Sequence, residues 1–361
     1  MPRAYKSLKS KLKLPKIVHL VGTNGKGTTG RFLASALCKQ GKKVVHYTSP
    51  HILKFNERIW IEGENISDAM LEELHQMLQT LLDQEFLETL SYFEYTTFLA
   101  VLAAQNAEYL IFEAGLGGEF DATAVFENVL TLVTPIDKDH EAFLGDTIEK
   151  IATTKLNAVQ KKGILAQQKH SEVYDVAKKL SRLKGIEIFK AEQLLNKEDL
   201  YKIDAIAKQN NLAPYLKTNL MLSIAAFKEL GFEYEPQHFL GTKLFGRLSQ
   251  IAPNILLDVG HNALAAESIY ESLKGQKYTL VYNSYKDKDY IRILEILKPL
   301  IDELLIIKVD DDRIEKKEHL VDVLESLEIP YGDFEKLQTD KNYLIFGSFS
   351  VAEAFLKVYL G

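Results

Sequence analysis

The feature that most constrains the fold is a glycine-rich turn between a strand pattern and a helix pattern. Residues 22–29 read Gly-Thr-Asn-Gly-Lys-Gly-Thr-Thr. They follow the apolar run 17–21, which is typical of a buried strand, and precede residues 31–40, where apolar side chains recur at helical spacing. Such a turn directs backbone N–H groups and the positive end of the helix dipole toward an anion. The sequence therefore predicts an α/β fold with a phosphate-binding loop at this turn.

The loop departs from the general phosphate-loop pattern. In G-x-x-x-x-G-K-[ST], Leu20 would stand at the first glycine, and Gly27 follows the lysine. By position, Lys26 would reach the outer phosphates of a nucleoside triphosphate and the Thr28 hydroxyl would face Mg²⁺. An ordinary glycine-rich turn is the alternative interpretation. The departure favours a narrower type of nucleotide-binding loop over the general one.

Composition limits the class of protein and its partners. The chain has 361 residues, 46% of them hydrophobic, which predicts about two globular domains. A net charge of -6 argues against a nucleic-acid partner. No apolar run reaches bilayer-spanning length, and the basic segment 1–16 lacks the apolar centre of a signal peptide, so we expect a solvated N-terminal helix there. The single cysteine, Cys38, is consistent with a cytoplasmic setting.

Short β-type runs alternate with longer helical patterns along the chain. The predicted strands cover residues 43–45, 109–112, 129–133, 163–165, 254–257, 278–282, 304–308 and 342–346. The predicted helices cover residues 67–88, 93–105, 173–183, 219–230, 263–274 and 351–359. This alternation predicts parallel sheets with helices on both faces. A turn-rich segment at 241–246 places the domain boundary near Phe239, giving domains 1–239 and 240–361.

Chemistry-bearing residues follow several predicted strands, where ligands of open α/β sheets bind. Glu113 ends the strand 109–112 and opens the glycine-rich segment 115–118, and its carboxylate suits Mg²⁺. A carboxylate that caps a loop is the alternative. Asp139 and His140 follow the strand 129–133.

The second half repeats this design. Asp258, His261 and Asn262 follow the strand 254–257, and Arg247 supplies a forked cation suited to phosphate or carboxylate. The alternative is that Asp258 and Asn262 only cap the next helix. Ser348 stands at the start of a helix after the strand 342–346.

These motifs, in this order, resemble the folylpolyglutamate synthase and dihydrofolate synthase enzymes, the folate branch of the Mur-ligase superfamily. The resemblance covers nearly the whole chain apart from roughly 160–215. Its motifs are residues 22–29, 49–51, 57–58, 92–97, 113–118, 121–123, 139–140, 246–247, 258–262, 287–289 and 347–349.

The resemblance implies a P-loop-containing, Mur-ligase-like ATPase domain followed by a smaller Rossmann-like, glutamate-binding domain. It implies roles for the following residues: ATP binding by Thr23, Asn24, Gly25, Lys26, Gly27, Thr28, Thr29, Asn219, Arg247 and Asp258; two Mg²⁺ ions held by Thr28, Ser49, Glu113, His140 and Lys155; folate binding by Phe93, Glu94, Thr96 and Asp121; and glutamate binding by His261 and Ser348. The same resemblance implies that the catalytic residues are Lys26, His140, Lys155 and His261.

Lys155 matches a lysine that is carbamylated (N6-carboxylysine) in the family, and an exposed surface lysine is the alternative. Phe93 would suit a flat heterocycle, although a buried core aromatic explains it nearly as well.

The reaction implied by the resemblance joins L-glutamate to dihydropteroate, to the γ-carboxylate of a reduced folate, or to both. ATP would phosphorylate the acid, and the glutamate amine would displace phosphate from the acyl phosphate. We expect a cytoplasmic monomer with small-molecule substrates, without nucleic-acid or membrane partners and without a cysteine nucleophile. Two alternatives remain: a Mur-type ligase acting on a UDP-linked cell-wall precursor, and a non-catalytic nucleotide-binding relative.

Overall fold

A computed structural model describes residues 1–361, which form two compact units, Met1–Lys243 and Leu244–Gly361. Each unit is built on one sheet whose strands are mainly parallel, so the predicted α/β class is confirmed. The domain boundary predicted between residues 239 and 240 lies just before the division between Lys243 and Leu244. No helix combines the length and the apolar character that a bilayer crossing requires.

The first unit contains eight strands and ten helices. Its strands are β1 (Lys16–Val21), β2 (Val44–Tyr47), β3 (Ile59–Ile61), β4 (Glu64–Asn65), β5 (Tyr109–Glu113), β6 (Leu130–Val133), β7 (Lys162–Leu165) and β8 (Glu187–Lys190). Its helices are α1 (Pro2–Leu8), α2 (Lys26–Lys39), α3 (Asp68–Leu81), α4 (Gln84–Thr89), α5 (Tyr92–Ala103), α6 (Glu141–Leu144), α7 (Ile148–Leu156), α8 (Ser171–Lys184), α9 (Lys197–Gln209) and α10 (Pro214–Glu229).

The strand order of this sheet determines which residues lie next to the glycine-rich turn. The order is β4-β3-β2-β5-β1-β6-β7-β8, parallel from β2 to β8, with β3 and β4 antiparallel. Strand β1 lies between β5 and β6, with Leu20 beside Glu113 and Val21 beside Val133. Because the carboxyl ends of these three strands share one edge, the turn after β1 lies next to Glu113.

Helices cover both faces of β1, which explains its continuous apolar run. Successive side chains of a strand point to opposite faces. Val18 and Leu20 pack in one core with α2 and α10, whereas Ile17 packs in another with α3 and α5. Burying one such side chain contributes about 1.5–3 kcal/mol.

The helix predicted over 67–88 is two helices. Ser67 caps α3 by accepting a hydrogen bond from the backbone N–H of Met70 at 3.2 Å. Leu82 and Asp83 then adopt extended backbone, and α4 starts at Gln84. Leu82 is buried in the core. The helical periodicity could not reveal this break, because the burial of Leu82 depends on elements distant in the sequence.

The predicted N-terminal helix is present as α1, but one face of it is buried rather than solvated. Ala4 and Leu8 of α1 are buried in the core that contains Phe98 and Phe126. The amine of Met1 also pairs with Glu94 Oε1 at 2.7 Å. The many lysines of this segment concealed the short apolar face that docks it.

The second unit contains a separate six-stranded sheet. Its strands are β9 (Ser249–Ala252), β10 (Ile255–Leu257), β11 (Tyr278–Tyr282), β12 (Ile301–Ile306), β13 (Tyr331–Asp333) and β14 (Tyr343–Phe346). Its helices are α11 (Ala263–Leu273), α12 (Tyr290–Leu297), α13 (Lys317–Ser326) and α14 (Phe349–Leu360). The order is β13-β12-β11-β14-β10-β9, with only β9 antiparallel. Leu257 lies beside Ile345, so the turns after β10 and β14 are neighbours.

Candidate active site

The glycine-rich turn is held by the segment that follows β6. The backbone N–H of Thr23 donates to the carbonyl of Pro135 at 2.9 Å, and its hydroxyl donates to the carbonyl of Asp137 at 3.0 Å. Gly22 has φ +143°, and a Cβ there would lie 2.0 Å from Thr134 Oγ1. The turn therefore needs glycine at position 22 both for its conformation and for this close approach.

Lys26, Thr28 and Glu113 lie together at the carboxyl edge of the sheet. Lys26 Nζ donates to the carbonyls of residues 22 and 23 at 3.2 and 3.3 Å, and lies 4.0 Å from Glu113 Oε1. Thr28, in the first turn of α2, is buried, and its hydroxyl oxygen has no hydrogen-bond partner. A buried hydroxyl without a partner, two residues after Lys26, and a buried carboxylate 4.0 Å from that lysine are oxygen donors that suit a phosphate-bound cation.

Glu113 is itself fixed by the segment after β2. Its Oε2 accepts hydrogen bonds from the Thr48 hydroxyl and, at 3.4 Å, from the backbone N–H of Ser49. The structure thus brings Ser49 and Glu113 together, as the predicted ligand set requires. The sequence did not single out Thr48, whose only signal is its place directly after β2.

Lys155 is buried rather than exposed, so the surface-lysine alternative is wrong. Its side chain on α7 donates from Nζ to the carbonyl of Gly22 at 2.8 Å. Burial, together with the neighbouring charge of Lys26, lowers the pKa of Lys155 to about 7. Gly118 allows this placement, because a Cβ there would lie 2.9 Å from the Lys155 backbone. The phosphate loop, Lys155 and the glycine-rich segment after β5 therefore form one packed unit.

His140 lies just before α6, in the left-handed backbone region at φ +51°. Its side chain is 40% exposed, whereas that of Asp139 is 10% exposed. Asp139 is near enough to Lys155 for its negative charge to favour the protonated amine. The predicted ligand set contained His140 but omitted Asp139, and the adjacency of the two residues was the available signal. The structure contains no group of three or more His, Cys, Asp or Glu side chains arranged to hold a metal.

Asn219 of α10 lies against the phosphate loop. A Cβ on Gly25, which has φ +90°, would lie 2.5 Å from Asn219 Oδ1. Asn219 is buried, and its Nδ2 has no hydrogen-bond partner. The amide therefore sits at the amino end of α2, where it can reach a group bound in the loop.

A pocket of about 460 Å³ contains three of the four predicted folate-binding residues, Phe93, Glu94 and Asp121. Phe93 packs over Gly115, where a Cβ would lie 2.6 Å from the ring. Thr96 does not line this pocket, and its hydroxyl instead contacts the Tyr47 hydroxyl at 3.0 Å. The rim carries exposed apolar side chains, as expected where a flat apolar ligand docks; these are Leu116, Phe120 and Phe143.

Asp121 organises the wall of this pocket. Its carboxylate accepts hydrogen bonds from the backbone N–H groups of Leu116 and Thr123, both at 2.9 Å, and from the Thr123 hydroxyl at 2.6 Å. His19 of β1 contacts the same hydroxyl through Nε2 at 2.7 Å. Burial lowers the pKa of His19 to about 4, although the charge of Asp121 opposes this shift. Sequence reasoning missed His19, because a lone histidine within an apolar strand carries no distinguishing signal.

In the second unit, Asp258 is not a helix cap. Its Oδ1 accepts from the backbone N–H of Gly260 and its Oδ2 from that of Leu248, both at 2.8 Å. Asp258 thereby fixes the turn that carries Arg247, whose guanidinium lies 5.5 Å from the Phe349 ring centre. Asn262, by contrast, does cap α11 by accepting from the backbone N–H of Ala265.

The two predicted glutamate-binding residues, His261 and Ser348, lie on the adjoining turns after β10 and β14. His261 Nδ1 is 3.2 Å from the carbonyl of Val259. Ser348 is buried and caps α14, accepting from the backbone N–H of Val351 at 3.1 Å. The backbone N–H of Gly347 donates to the carbonyl of Gly260 at 3.1 Å, which joins the two turns.

The chain is similar to curated folate enzymes along most of its length. A dihydrofolate synthase/folylpolyglutamate synthase from Haemophilus influenzae is 32% identical, with 89% of this chain and 82% of that protein aligned. The chain belongs to the dihydrofolate synthase/folylpolyglutamate synthase family. The Bacillus subtilis member is 30% identical over 85% of this chain and 80% of its own. In the crystal structure of Helicobacter pylori folylpolyglutamate synthetase, the sequence is 39% identical to this chain and the TM-score is 0.82. The superposition covers 99% of this chain and 93% of that one. No family model matches the chain.

Membership confirms the resemblance stated from the sequence. The matched relatives are named as synthases of dihydrofolate and folylpolyglutamate, which supports the predicted ligase over a cell-wall ligase or a non-catalytic relative. The fold, a Mur-ligase-like ATPase domain followed by a smaller Rossmann-like domain, is shared with the solved folate enzyme.

Proposed function

We propose that this protein adds L-glutamate to dihydropteroate, to a reduced folate, or to both, at the expense of ATP. The γ-phosphate passes to the substrate carboxylate, giving an acyl phosphate and ADP. The glutamate amine then attacks the acyl carbon, phosphate leaves, and the amine loses a proton as the amide forms. The observation that carries the proposal is the packed group formed by Lys26, Thr28, Glu113 and Lys155 around the phosphate loop.

Phosphate binding is assigned to residues 23–29. The backbone N–H groups of residues 25–28 lie at the amino end of α2, and Lys26 adds a positive charge beside them. Asn219, which lies against Gly25 of the loop, is assigned to the nucleotide as well. These groups align ATP and neutralise charge on the transferred phosphoryl group, which is the main requirement of such a reaction.

The donor set fits Mg²⁺. Thr28 and Glu113 would hold one ion, and Ser49, His140 and Lys155 would hold a second one. When bound, Mg²⁺ neutralises phosphate charge and favours transfer. A carbamate on Lys155 requires the neutral amine, and a pKa of about 7 supplies a large neutral fraction at neutral pH.

The remaining residues are assigned to the organic substrates. Phe93 and Asp121 would bind the pterin in the 460 Å³ pocket, with Glu94 nearby. Thr96 acts there only through its contacts to Tyr47 and Phe93. In the second unit, Arg247 and Asp258 are assigned to the nucleotide.

His261 and Ser348 are assigned to glutamate. We further expect the enzyme to work as a monomer in the cytoplasm.

The test is ADP release, measured by a coupled assay with ATP and Mg²⁺. Dihydropteroate and tetrahydrofolate are each supplied with and without L-glutamate, and the product is identified by mass. We expect sustained ADP release only when an acid and glutamate are both present. Sustained release without either substrate, or only with a UDP-linked cell-wall precursor, would contradict the proposal.

The matched variants are Lys26→Met and Lys6→Met. Lys26 contacts the loop, whereas Lys6 lies on the exposed face of α1. Lys26→Met should lower turnover about a hundredfold or more, as removal of one group that stabilises transition-state charge does. Lys6→Met should retain the turnover of the unchanged protein.

A further inference from the structure

Another pocket lies in the first unit, and its lining shares no residue with the folate pocket. Its volume is about 660 Å³, within the usual range of about 300–1,000 Å³ for small-molecule sites. It is formed by the middle of α2, the β3–β4 hairpin and the segment 240–243. None of the residues assigned above to ATP, metal, folate or glutamate lines it.

Arg31 is the central group of this pocket. Its guanidinium stacks on the ring of Trp60, with 4.6 Å between the guanidinium carbon and the ring centre. Its Nε donates to His46 Nδ1 at 3.3 Å, and Arg31 forms no ion pair with any carboxylate. The guanidinium is thus fixed in place by two neighbours, while its Nη groups make no hydrogen bond within the protein. A fixed fork of this kind matches the two oxygens of a carboxylate or phosphate.

The other charged residues that line the pocket also favour an anion. Lys39 and Lys243 add two positive charges, against one negative charge from Glu62. Lys39 Nζ also donates to the carbonyls of Gln237 and Leu240, which holds the segment 240–243 as one wall.

Thr242 provides a second, independent sign of a ligand. It lines the pocket, it is buried, and its hydroxyl oxygen has no hydrogen-bond partner. Buried polar atoms are rarely left unpaired, and a hydroxyl can either donate to or accept from a bound molecule.

We infer that this pocket, the Arg31 pocket, is a binding site for a small anion that carries a carboxylate or phosphate group. The Arg31 fork binds the charged group, Lys39 and Lys243 supply the positive field, and the Thr242 hydroxyl completes the hydrogen bonds. The inference does not rest on the proposed function, because none of its residues takes part in the ligase chemistry assigned above.

The chain offers a built-in probe of this site. Trp60 is the single tryptophan of the protein and lies under Arg31. Its fluorescence therefore reports on the pocket itself. We would titrate the full chain with inorganic phosphate and, separately, with glutarate, in a buffer that contains neither anion type. We expect a saturable change in Trp60 emission with at least one probe, and the stronger probe identifies the class of anion.

Four variants test the assignment. Arg31→Met should weaken binding about tenfold or more, the effect of losing a charge-assisted hydrogen bond. Arg31→Lys, which retains the charge but not the fork, should weaken it less, and Thr242→Val should weaken it by a few-fold. The control Arg292→Met, at an exposed arginine of the second unit, should bind as the parent does.

A last variant separates this site from the phosphate loop. Lys26→Met should leave the Trp60 response unchanged even though it lowers turnover. The inference fails if neither probe changes Trp60 emission at millimolar concentration. It also fails if Arg31→Lys and Thr242→Val, each shown to be folded by thermal melting, bind as tightly as the parent, or if Lys26→Met abolishes the response.

Discussion

Replacing Gly25 by alanine tests whether the phosphate loop is as tightly packed as the structure indicates. Gly25 has φ +90°, a conformation that costs a residue with a Cβ about 1–3 kcal/mol. The added Cβ would also lie 2.5 Å from Oδ1 of Asn219. Asn219 is buried and cannot turn into solvent, so this overpacking costs a further 1–3 kcal/mol or so.

The expected total is a loss of about 4 kcal/mol in the free energy of unfolding of the first unit, the sum of these two central values. For a domain of about this size, such a loss lowers the melting temperature by on the order of 10 °C. The assay is urea unfolding followed by far-UV circular dichroism, supported by a thermal melt.

Two further variants separate the two contributions. Gly41 has a similar φ of +79°, but a Cβ there would have no atom within 4 Å, so Gly41→Ala carries only the backbone cost. Asn219→Ala, introduced into Gly25→Ala, should remove the steric part and leave the backbone part. The reasoning is refuted if Gly25→Ala costs no more than Gly41→Ala, or if Asn219→Ala fails to reduce its cost.

Three other predictions follow from single contacts. Lys155→Ala should reduce turnover about a hundredfold or more while a non-hydrolysable ATP analogue still binds by calorimetry; near-normal turnover would remove Lys155 from the site. The pKa of His19 is about 4 when folded and 6.5 when unfolded, so the unfolded chain gains a proton first as pH falls. Stability should therefore drop by about 3 kcal/mol more in the parent than in His19→Asn between pH 7 and 4, as urea titrations measure; parallel curves would contradict this. Ser91 caps α5 in a reciprocal pair with Glu94, so Ser91→Ala should cost about 1 kcal/mol by the same method, and an unchanged denaturation midpoint would exclude the cap.

Much of the fold could be predicted because its strands are buried on both faces. β1, β5 and β11 are continuous apolar runs, and their positions follow from the sequence. β8 was not predicted, because it lies at a sheet edge where half-exposed side chains give only a weak pattern. The strand predicted at 304–308 is instead β12, Ile301–Ile306, since alternating burial there blurs the limits of the apolar run.

The residues of the candidate site likewise divide into those that local patterns could predict and those that they could not. The glycine spacing and the strand ends marked Lys26, Thr28 and Glu113, because phosphate chemistry requires particular residues at particular local positions. Lys155, in contrast, was named only through the family resemblance, and its burial could not be read from its helix. Thr48 and His19 were omitted because their roles arise from contacts between distant segments. Asp139 was noted beside His140 but was left out of the predicted ligand set, although its charge acts on Lys155.

The sequence by itself therefore determined the α/β class, the phosphate loop and the family of the chain, since each of these is written in local patterns of residue type and spacing. Only the tertiary structure decided that Lys155 lies buried against Gly22, that Asp258 holds the turn of Arg247, and that Arg31 lies fixed over Trp60. The physical reason is that burial, pKa and an unpaired donor are properties of the surroundings. Those surroundings are formed by residues far apart in the chain.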